Sequence, residues 1–449
     1  MKINRSIYYH RYGEFVYVRD VDRQKDYLYN EIVGDILDCL CSDASEAQFV
    51  NLITYLKSRY DLTDMNEEEF QKDISLFMED LRENEILVDM QQHEHLNQGM
   101  AISDQIARYC EENHVLDSLC LEITYRCNER CVHCYLDDVH ETQWEQELCF
   151  PDYRKLLDEA YALGCFRVLI TGGEVSVRPD FLEIAEYAVR KGMLVDLYTN
   201  GLSISDEEFQ RICAMKPNSV SVSLYSGDAA VHDSITKVTG SFEKTLRFAM
   251  MLKCAGIDVF IKSVAMKQNA ESLEKLYKLG KMLHIPISVS LAVGSKGNGE
   301  DPSKYRLNCT DCYEKLISLN DQYGDGVANY GELDFVKSLD SPPCSIGKSG
   351  LSVDPFGNVN PCNAHKVVLG NVRRDSLEDI WLHSPELQRI RNLKMRDISP
   401  KCAQCENIAY CPVCVGFVEQ ERGMPYFCED VCMIAEAKRL FLESRMLRT

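Results

Sequence analysis

Residues 119–135, LCLEITYRCNERCVHCY, join an alternating apolar segment to three closely spaced cysteines. Apolar residues alternate with others over Leu119–Thr124, which is the period of a strand with one buried face. Cys127, Cys131 and Cys134 follow at once, separated from each other by three and by two residues. A cysteine loop is therefore predicted at the carboxyl end of a strand, the place where α/β sheets bind ligands.

The pattern that begins at Leu119 repeats along the chain, with short apolar runs alternating with helical segments. Strands are predicted at Leu119–Thr124, Arg167–Thr171, Leu194–Thr199, Ser219–Leu224, Val259–Ala265 and Ile287–Val293. Helices are predicted at Pro151–Leu163, Phe181–Lys191, Glu207–Ala214, Ser241–Ala255 and Ser272–His284. This alternation implies a parallel sheet with right-handed crossovers. Because a closed (β/α)8 barrel needs two more units, the predicted fold class for residues 119–294 is α/β, a partial (β/α)6 barrel related to the TIM barrel.

The three cysteines of the loop suit an iron–sulfur cluster better than a single metal ion. Three thiolates can hold three irons of a [4Fe–4S] cube and leave the fourth iron without a protein ligand. A structural zinc site normally needs four ligands, and the nearby candidate His133 lies inside the turn beside two of the cysteines. A small chelating molecule can occupy the open iron, and an electron passed through the cluster can then break a bond in that molecule.

Cys127-x3-Cys131-x2-Cys134, followed by the aromatic Tyr135, resembles the signature of the radical S-adenosylmethionine (SAM) superfamily. The resemblance implies a catalytic [4Fe–4S] cluster on these cysteines, with SAM bound to the open iron through its amino and carboxylate groups. Reductive cleavage of SAM then gives methionine and a 5′-deoxyadenosyl radical, which takes a hydrogen atom from the substrate. Tyr135 is accordingly expected among the SAM-binding residues.

A second similarity to this superfamily follows the second predicted strand. Gly172, Gly173 and Glu174 resemble its GGE motif, which contacts the SAM amino group. The two glycines allow the backbone to approach a ligand closely, and Glu174 offers a hydrogen-bond acceptor. Alone this tripeptide indicates a turn; after the second strand of such a barrel it supports SAM binding.

The resemblance also implies SAM contacts at three single residues. Asn200 and Ser223, at the ends of the third and fourth strands, are expected to reach the ribose or the methionine part of SAM. Lys237 stands where related enzymes place a basic residue near the SAM carboxylate. Single residues of these types are also common on surfaces and at helix caps, so the alternative of a structural role stays open for each.

The region after about Gly294 is rich in proline, glycine and cysteine, and its cysteine pattern is similar to the SPASM domain. The pattern contains Cys344, Cys362, Cys402, Cys405, Cys411, Cys414, Cys428 and Cys432. SPASM domains hold two auxiliary [4Fe–4S] clusters, which are expected to replace an apolar core here. The family pattern has three residues where this chain has two, Pro412 and Val413, and this departure leaves the sharing of ligands open.

The resemblance implies an interleaved set of ligands for the two auxiliary clusters. The second cluster is expected on Cys402, Cys405, Cys411 and Cys432. The first is expected on Cys344, Cys362 and Cys414, which leaves it one ligand short. The missing ligand is Cys428, the Cys309-x2-Cys312 pair, another cysteine, or a substrate thiolate, an arrangement that suits thioether-forming enzymes. A zinc ribbon on the two Cys-x2-Cys pairs after residue 400 is the alternative.

Residues 1–90 are predicted to form a separate winged-helix-like α+β module. Its predicted elements are strands at Ser6–Tyr12, Glu14–Arg19 and Ile86–Val88, and helices at Tyr29–Cys41, Glu46–Tyr60 and Glu67–Asn84. The layout looks like the PqqD-like recognition element of peptide maturases, which binds an extended leader peptide by strand addition, here expected at the edge Phe15–Arg19. Acidic helices argue against the DNA-binding alternative. Residues 91–118 are predicted as a linker and 295–449 as a bridging region with the SPASM domain.

Charge and cysteine content limit the partners and the compartment. The formal net charge of −22 repels phosphate backbones, so a nucleic-acid partner is not expected. No stretch approaches the ~18–20 apolar residues of a membrane span, and the N-terminus has no apolar signal segment, so we expect no membrane partner and a cytoplasmic location. In a reducing compartment, 21 cysteines indicate metal ligands before disulfides.

The combined resemblances imply a peptide maturase with three [4Fe–4S] clusters, one that binds SAM and two auxiliary. The chain is similar to the thioether-forming maturases of sactipeptides and ranthipeptides, which act on a cysteine-containing precursor peptide. An external electron donor such as flavodoxin or ferredoxin is implied. Two alternatives stay open: other peptide chemistry, meaning carbon–carbon or carbon–oxygen cross-links or side-chain oxidation, and a non-catalytic metal-binding protein that recognises a peptide.

Overall fold

The computed structural model describes residues 2–3, 6–42, 56, 67–84, 86–88, 100–136, 144–294, 302–323, 337–417 and 429–446. The chain divides into two compact units, Met1–Val115 and Leu116–Thr449. Each unit has an apolar core of its own, as expected for a chain of this length. Among the helices in these ranges, none combines the length and apolar character that crossing a bilayer requires.

The first unit consists of a three-stranded antiparallel sheet, a short strand pair and helices. Its elements are β1 (Lys2–Ile3), β2 (Ile7–Tyr12), β3 (Phe15–Asp20), β4 (Lys25–Asn30), α1 (Glu31–Ser42), α2 (Glu67–Glu83), β5 (Leu87–Val88) and α3 (Met100–Asn113). The central strand is β3, which pairs with β2 on one side and with β4 on the other. Val16 and Val18 of β3 pack in the core with Ile36 of α1 and Ile74 of α2.

Several sequence predictions for this unit need correction. The strand Lys25–Asn30 was missed because its apolar residues are adjacent and do not alternate, and α1 therefore begins at Glu31, not at Tyr29. The predicted edge Phe15–Arg19 belongs to the central strand, so that β2 and β4 form the outer strands of this sheet. The predicted linker 91–118 contains the helix α3, which contacts β2 and β4. The helix predicted at Glu46–Tyr60 lies outside the described residues except for Leu56.

The second unit confirms the predicted α/β fold with a partial barrel. Its first part contains β6 (Ser118–Glu122), α4 (Phe150–Ala162), β7 (Arg167–Thr171), α5 (Phe181–Arg190), β8 (Leu194–Thr199), α6 (Asp206–Met215), β9 (Ser219–Ser223), α7 (Ala229–Thr236), α8 (Ser241–Cys254), β10 (Val259–Val264), α9 (Leu273–Leu283) and β11 (Ile287–Ser290). The six strands pair in parallel in chain order, as the alternating pattern predicts. Every second residue of a strand, such as Leu119 and Leu121 of β6, lies in one apolar core with residues of the helices.

The C-terminal region adds strands to the same sheet. Its elements are α10 (Thr310–Tyr323), β12 (Gly350–Val353), β13 (Asn358–Asn360), β14 (Gly370–Asn371), α11 (Leu377–His383), α12 (Pro385–Arg391), α13 (Met395–Ile398) and α14 (Glu429–Met446). Strand β12 pairs in parallel with β6, and the carbonyl of Ser349 accepts hydrogen bonds from the amides of Asp117 and Ser118. The C-terminal cysteines are thereby joined through the backbone to the strand that leads into the cysteine loop.

Helix α7 was not predicted, although it contacts the cysteine loop. It has only eight residues and follows a turn in which Asp228 accepts hydrogen bonds from the amides of Ala230 and Val231. Near its end, the carboxylate of Asp233 accepts from the amides of Gly240 and Phe242 and so connects α7 to the start of α8. A charged acceptor at a helix start satisfies amides that have no partner within the helix.

Replacing Asp233 by alanine should destabilise the second unit by about 1 kcal/mol, the usual cost of losing a helix cap. Although burial alone raises the pKa of Asp233, the hydrogen bonds from Phe242 and Gly240 hold it below its usual value. Because a depressed pKa stabilises the fold above the unfolded-state pKa and that contribution is lost as the pH falls through the folded-state pKa, the difference in stability between wild type and variant should be smaller at pH 3 than at pH 7. Thermal unfolding at pH 7 and pH 3 measures it, with Glu271→Ala, an exposed acid, as control.

Candidate cofactor site

The cysteine loop borders a cavity of about 350 Å³ at the carboxyl ends of the barrel strands. The predicted site residues that line it are Cys127, Cys131, Cys134, Tyr135, Gly172, Gly173, Glu174, Asn200 and Ser223. Lys237 is not among the lining residues. It is exposed and caps the carboxyl end of α7 in the left-handed conformation, with φ 64°. The structure thus brings together all the residues predicted to meet SAM except Lys237.

Backbone hydrogen bonds from α7 fix the shape of the cysteine loop. The amides of Arg130 and Val132 donate to the carbonyls of Thr236 and Ile235, each at 3.0 Å. These carbonyls lie at the end of α7, where they have no amide partner inside the helix. The missed helix therefore supplies acceptors for the loop that carries the three cysteines.

The two glycines of the GGE turn let its backbone lie directly against the backbone of the segment before Cys127. The amide of Gly173 donates to the carbonyl of Thr124 at 2.8 Å, and the amide of Glu174 donates to that of Arg126 at 2.9 Å. A Cβ atom on Gly172 would lie 2.2 Å from the Thr124 oxygen, and one on Gly173 would lie 2.4 Å from the Arg126 oxygen. The φ of Gly172, +146°, is also strained for other residues. Glycine is therefore required for the turn to reach the segment that precedes Cys127.

The carboxylate of Glu174 connects the ends of two strands. Its Oε1 accepts from the amide of Ser176 at 3.0 Å and from the hydroxyl of Thr199 at 2.6 Å, while Oε2 accepts from the amide of Asn200 at 2.6 Å. The residue is 2% exposed, and burial raises its pKa against the opposing effect of these hydrogen bonds. Since a carboxylate offers about four acceptor positions, roughly one stays available for a ligand.

The side chain of Asn200 points to the cysteine loop. Its amide nitrogen donates to Oδ1 of Asn128 at 2.6 Å, and its oxygen accepts from the amide of Leu202. Asn200 is 5% exposed and lines the cavity. It therefore connects the end of β8 to the loop at the position where the sequence predicts a SAM contact.

The three cysteines of the loop fit a cluster in their chemistry. All three are free thiols in the cavity wall. Burial raises the pKa of Cys127 to about 12, although the hydrogen bond from the Glu129 amide opposes this rise. Burial and then the nearby Glu129 carboxylate raise the pKa of Cys131 well above its usual value. Their deprotonation requires compensating positive charge, which the irons of a cluster supply. Among the described residues, no three His, Cys, Asp or Glu side chains lie close enough together to hold a single metal ion. The thiolates of a four-iron cube bind separate corners and can therefore lie further apart.

Several C-terminal cysteines lie close to other members of their expected ligand set. Burial, and then the nearby Cys405, raise the pKa of Cys402. Burial also raises the pKa of Cys411, and the nearby Cys402 and Cys405 add to this rise. Burial raises the pKa of Cys362 to about 11, with Cys414 and Cys344 adding to it. Cys344 also packs in one apolar cluster with Cys402 and Cys411, so the division of the ligands between two auxiliary clusters stays a prediction.

The fourth ligand of the first auxiliary cluster stays a prediction. Cys309 and Cys312 form a disulfide with each other at the start of α10, so neither is a free thiol in this structure. Their pairing departs from the expectation that the cysteines serve metals before disulfides. Cys428 lies outside the described residues, and Cys432 lies on α14, partly buried.

A buried polar network that sequence reasoning missed adjoins the loop. The carboxylate of Glu122, which is fully buried, accepts from the hydroxyls of Tyr135 at 2.6 Å and Tyr125 at 3.2 Å. Lys366 forms an ion pair with it at 2.8 Å. Tyr135 comes directly after Cys134, and Lys366 lies four residues after Cys362. The network therefore connects the cysteine loop to the segment that carries Cys362. The sequence did contain a signal for this network: Glu122 lies between Leu121 and Ile123 in a strand predicted to be buried, and a buried charge requires a partner.

Replacing Gly173 by alanine should remove about four irons per chain, those of the catalytic cluster, because the new Cβ would displace the backbone before Cys127. Iron and sulfide counts on the anaerobically reconstituted protein measure the loss. Gly192→Ala is the control: its φ of +87° makes alanine strained there, but a Cβ meets no atom within 4 Å, so backbone strain is tested without a clash. Equal iron in both variants would contradict the packing role of Gly173.

Replacing Lys366 by methionine should lower the free energy of unfolding by about 2–3 kcal/mol, because it leaves the buried carboxylate of Glu122 without its cation. The loss should be at the low end of the usual range because the Lys366 side chain is 33% exposed. Adding Glu122→Gln should restore part of the stability. Thermal unfolding compares these variants with Lys315→Met, an exposed lysine on α10; an equal loss in that control would refute the buried ion pair as the cause.

Two segments of the chain match known domain families. Residues 121–280 match the radical SAM superfamily, and residues 344–406 match SPASM, an iron–sulfur cluster-binding domain. The first segment holds the cysteine loop, the GGE turn and β7–β10. The second begins at Cys344 and ends beyond Cys405. Both resemblances inferred from the cysteine spacing are confirmed at the level of these domains.

Two characterised proteins are similar in sequence to about two thirds of the chain. The antilisterial bacteriocin subtilosin biosynthesis protein AlbA of Bacillus subtilis is 26% identical over 337 residues, 71% of this chain and 71% of that protein. The AdoMet-dependent heme synthase of Methanosarcina barkeri is 26% identical over 321 residues, 66% of this chain and 89% of that protein.

The crystal structure of Streptococcus suis SuiB bound to precursor peptide SuiA covers 96% of this chain and 99% of its own. It has a TM-score of 0.62 and 17% identity. At this identity the similarity shows that the two chains share a fold.

Proposed function

We propose that this chain, which contains a radical SAM domain and an iron–sulfur SPASM domain, is an enzyme that cross-links a ribosomally made precursor peptide through cysteine thioethers. The observation that carries the proposal is the cavity in which three free cysteines, the GGE turn and the ends of β8 and β9 meet. The named relative in bacteriocin biosynthesis and the peptide-bound SuiB structure support a peptide as the substrate.

The chain offers a ligand set for each cofactor. Cys127, Cys131 and Cys134 would hold the catalytic cluster. The auxiliary clusters would lie on Cys344, Cys362 and Cys414 and on Cys402, Cys405, Cys411 and Cys432. When bound, these clusters and SAM supply a 5′-deoxyadenosyl radical and an acceptor for the one electron that thioether closure releases. An external donor such as flavodoxin or ferredoxin would provide the electron for SAM cleavage.

The residues of the cavity wall are suited to protect a reactive species from water. Leu136, Tyr225 and Val293 line the cavity and are at most 9% exposed. An apolar wall lowers the access of water and so limits side reactions. Tyr135, Gly172, Gly173, Glu174, Asn200 and Ser223 would form the part of the wall next to SAM.

The first unit would bind the leader of the precursor peptide. Its sheet has β2 and β4 as outer strands, and an extended peptide can add to such a strand through main-chain hydrogen bonds. We place the leader on one of these outer strands and not on Phe15–Asp20, whose two edges are already paired.

Anaerobic reconstitution, followed by incubation with SAM, reductant and a cysteine-containing candidate precursor peptide, tests the function. We expect about twelve irons per chain, 5′-deoxyadenosine, and a peptide lighter by two hydrogens per cross-link. Cys127→Ala should abolish deoxyadenosine, whereas Cys402→Ala should still form it without the cross-linked product. Zinc in place of iron, with no deoxyadenosine, would refute the enzyme; deoxyadenosine with a bond that does not involve sulfur would refute only the thioether.

Backbone N-methylation of the leader tests its proposed strand addition. A peptide in an antiparallel strand uses the amides of alternate residues for hydrogen bonds to its neighbour. N-methylation at one alternate set should therefore weaken binding roughly tenfold per residue, and methylation at the intervening set should leave it nearly unchanged. Fluorescence anisotropy of labelled leader with the full-length protein measures this, and equal effects at all positions would exclude a strand.

A further inference from the structure

We propose that Glu129, inside the cysteine loop, is a SAM-binding residue whose carboxylate meets the positively polarised part of the cofactor, either its amino group or its sulfonium. The proposal rests on the SAM binding included in the proposed function. It assigns a role to a residue that lies between two cluster ligands and that no motif of the sequence singles out.

The position of Glu129 points to a ligand in the cavity. The residue lines the cavity and is 4% exposed. Its Oε1 is shielded from solvent and has no hydrogen-bond partner among the described residues. Oε2 accepts from the thiol of Cys131 at 3.2 Å. An unpartnered buried carboxylate oxygen is costly, and its presence in a cavity wall indicates a group that is supplied from outside the chain.

Cluster binding would remove the thiol donor that Glu129 has in this structure. As a cluster ligand Cys131 is a thiolate, which has no proton to donate. The ion pairs formed by the described residues do not include Glu129. With the irons in place, its carboxylate would therefore lie beside a thiolate, with the Asn200 side chain as a neighbouring donor that also donates to Asn128. Its remaining acceptor positions would need a donor or a positive charge from the bound cofactor.

The charges around the cavity favour a positively charged ligand. The described residues that line the cavity include the carboxylates of Glu129 and Glu174, and none of them is a lysine or an arginine. Glu174 already accepts three hydrogen bonds from Ser176, Thr199 and Asn200. Glu129 is thus the carboxylate with the larger free capacity. SAM carries a sulfonium and an amino group and suits this arrangement, whereas an anionic ligand would be repelled.

The test compares SAM binding by wild type and Glu129→Gln, both reconstituted anaerobically. Glutamine keeps the shape of the side chain but removes its charge. We expect unchanged iron content and a Kd for SAM raised about tenfold, because a charge-assisted contact becomes a neutral one. Equilibrium dialysis gives the Kd, and the change that SAM causes in the electron paramagnetic resonance spectrum of the reduced cluster should need correspondingly more SAM.

Controls separate the alternatives. Glu145→Gln removes an exposed charge and should leave the Kd unchanged. Glu129→Asp keeps the charge and should recover part of the affinity. S-adenosylhomocysteine, which lacks the sulfonium, identifies the group: an equal loss for both ligands in Glu129→Gln indicates the amino group, and a loss for SAM alone indicates the sulfonium.

Two results would overturn the proposal. An unchanged Kd in Glu129→Gln would show that SAM does not meet this carboxylate. Loss of the catalytic iron from Glu129→Gln, restored in Glu129→Asp without a change of SAM affinity, would show that it serves the cluster. Failure of the wild type itself to bind SAM would instead refute the proposed function.

Discussion

The arrangement of the second unit depends on how the cysteine loop is held by backbone hydrogen bonds. The segment before Cys127 receives donors from the GGE turn, and the segment after it donates to the last carbonyls of α7. These contacts come from elements far apart in the chain, and the turn reaches the loop only because glycine adds no side chain there. These backbone contacts thus hold the segments on both sides of Cys127 in place.

Buried carboxylates surround this loop, and each has a different environment. Glu122 has a lysine and two tyrosine hydroxyls as partners. Glu174 has three donors from neighbouring backbone and side chain. Glu129 has one thiol donor, the Asn200 side chain close by, and an oxygen, Oε1, that has no hydrogen-bond partner among the described residues. Since a buried charge requires compensation, the first two stabilise the fold, and the third is where the fold leaves room for a ligand.

Much of the barrel and of the site could be predicted because both follow local patterns. Buried parallel strands such as Arg167–Thr171 and Leu194–Thr199 are apolar and β-branched over short runs, and their predicted bounds agree with the structure. The cysteine spacing and the GGE tripeptide are likewise local signals, because each is complete within a few consecutive residues. Nine of the predicted site residues line one cavity for this reason.

The features that were missed depend on contacts between distant residues. Strand Lys25–Asn30 has no alternating pattern and is a strand because it pairs with β3. The pairing of β12 with β6 joins residues more than 200 positions apart and cannot be read from four residues. The role of Lys366 could not be predicted because it depends on an ion pair with Glu122, which is far away in the sequence. Lys237, expected near SAM from its place in the chain, caps a helix instead because the short α7 ends there.

The most direct test of the central claim uses a precursor peptide deuterated at the acceptor carbon and follows where the deuterium goes. The proposed chemistry predicts that deuterium appears in 5′-deoxyadenosine and that the same peptide molecule gains a carbon–sulfur bond, both seen by mass spectrometry under anaerobic conditions. Deoxyadenosine without deuterium, together with an unchanged peptide, would contradict the claim that this chain modifies a peptide by hydrogen abstraction.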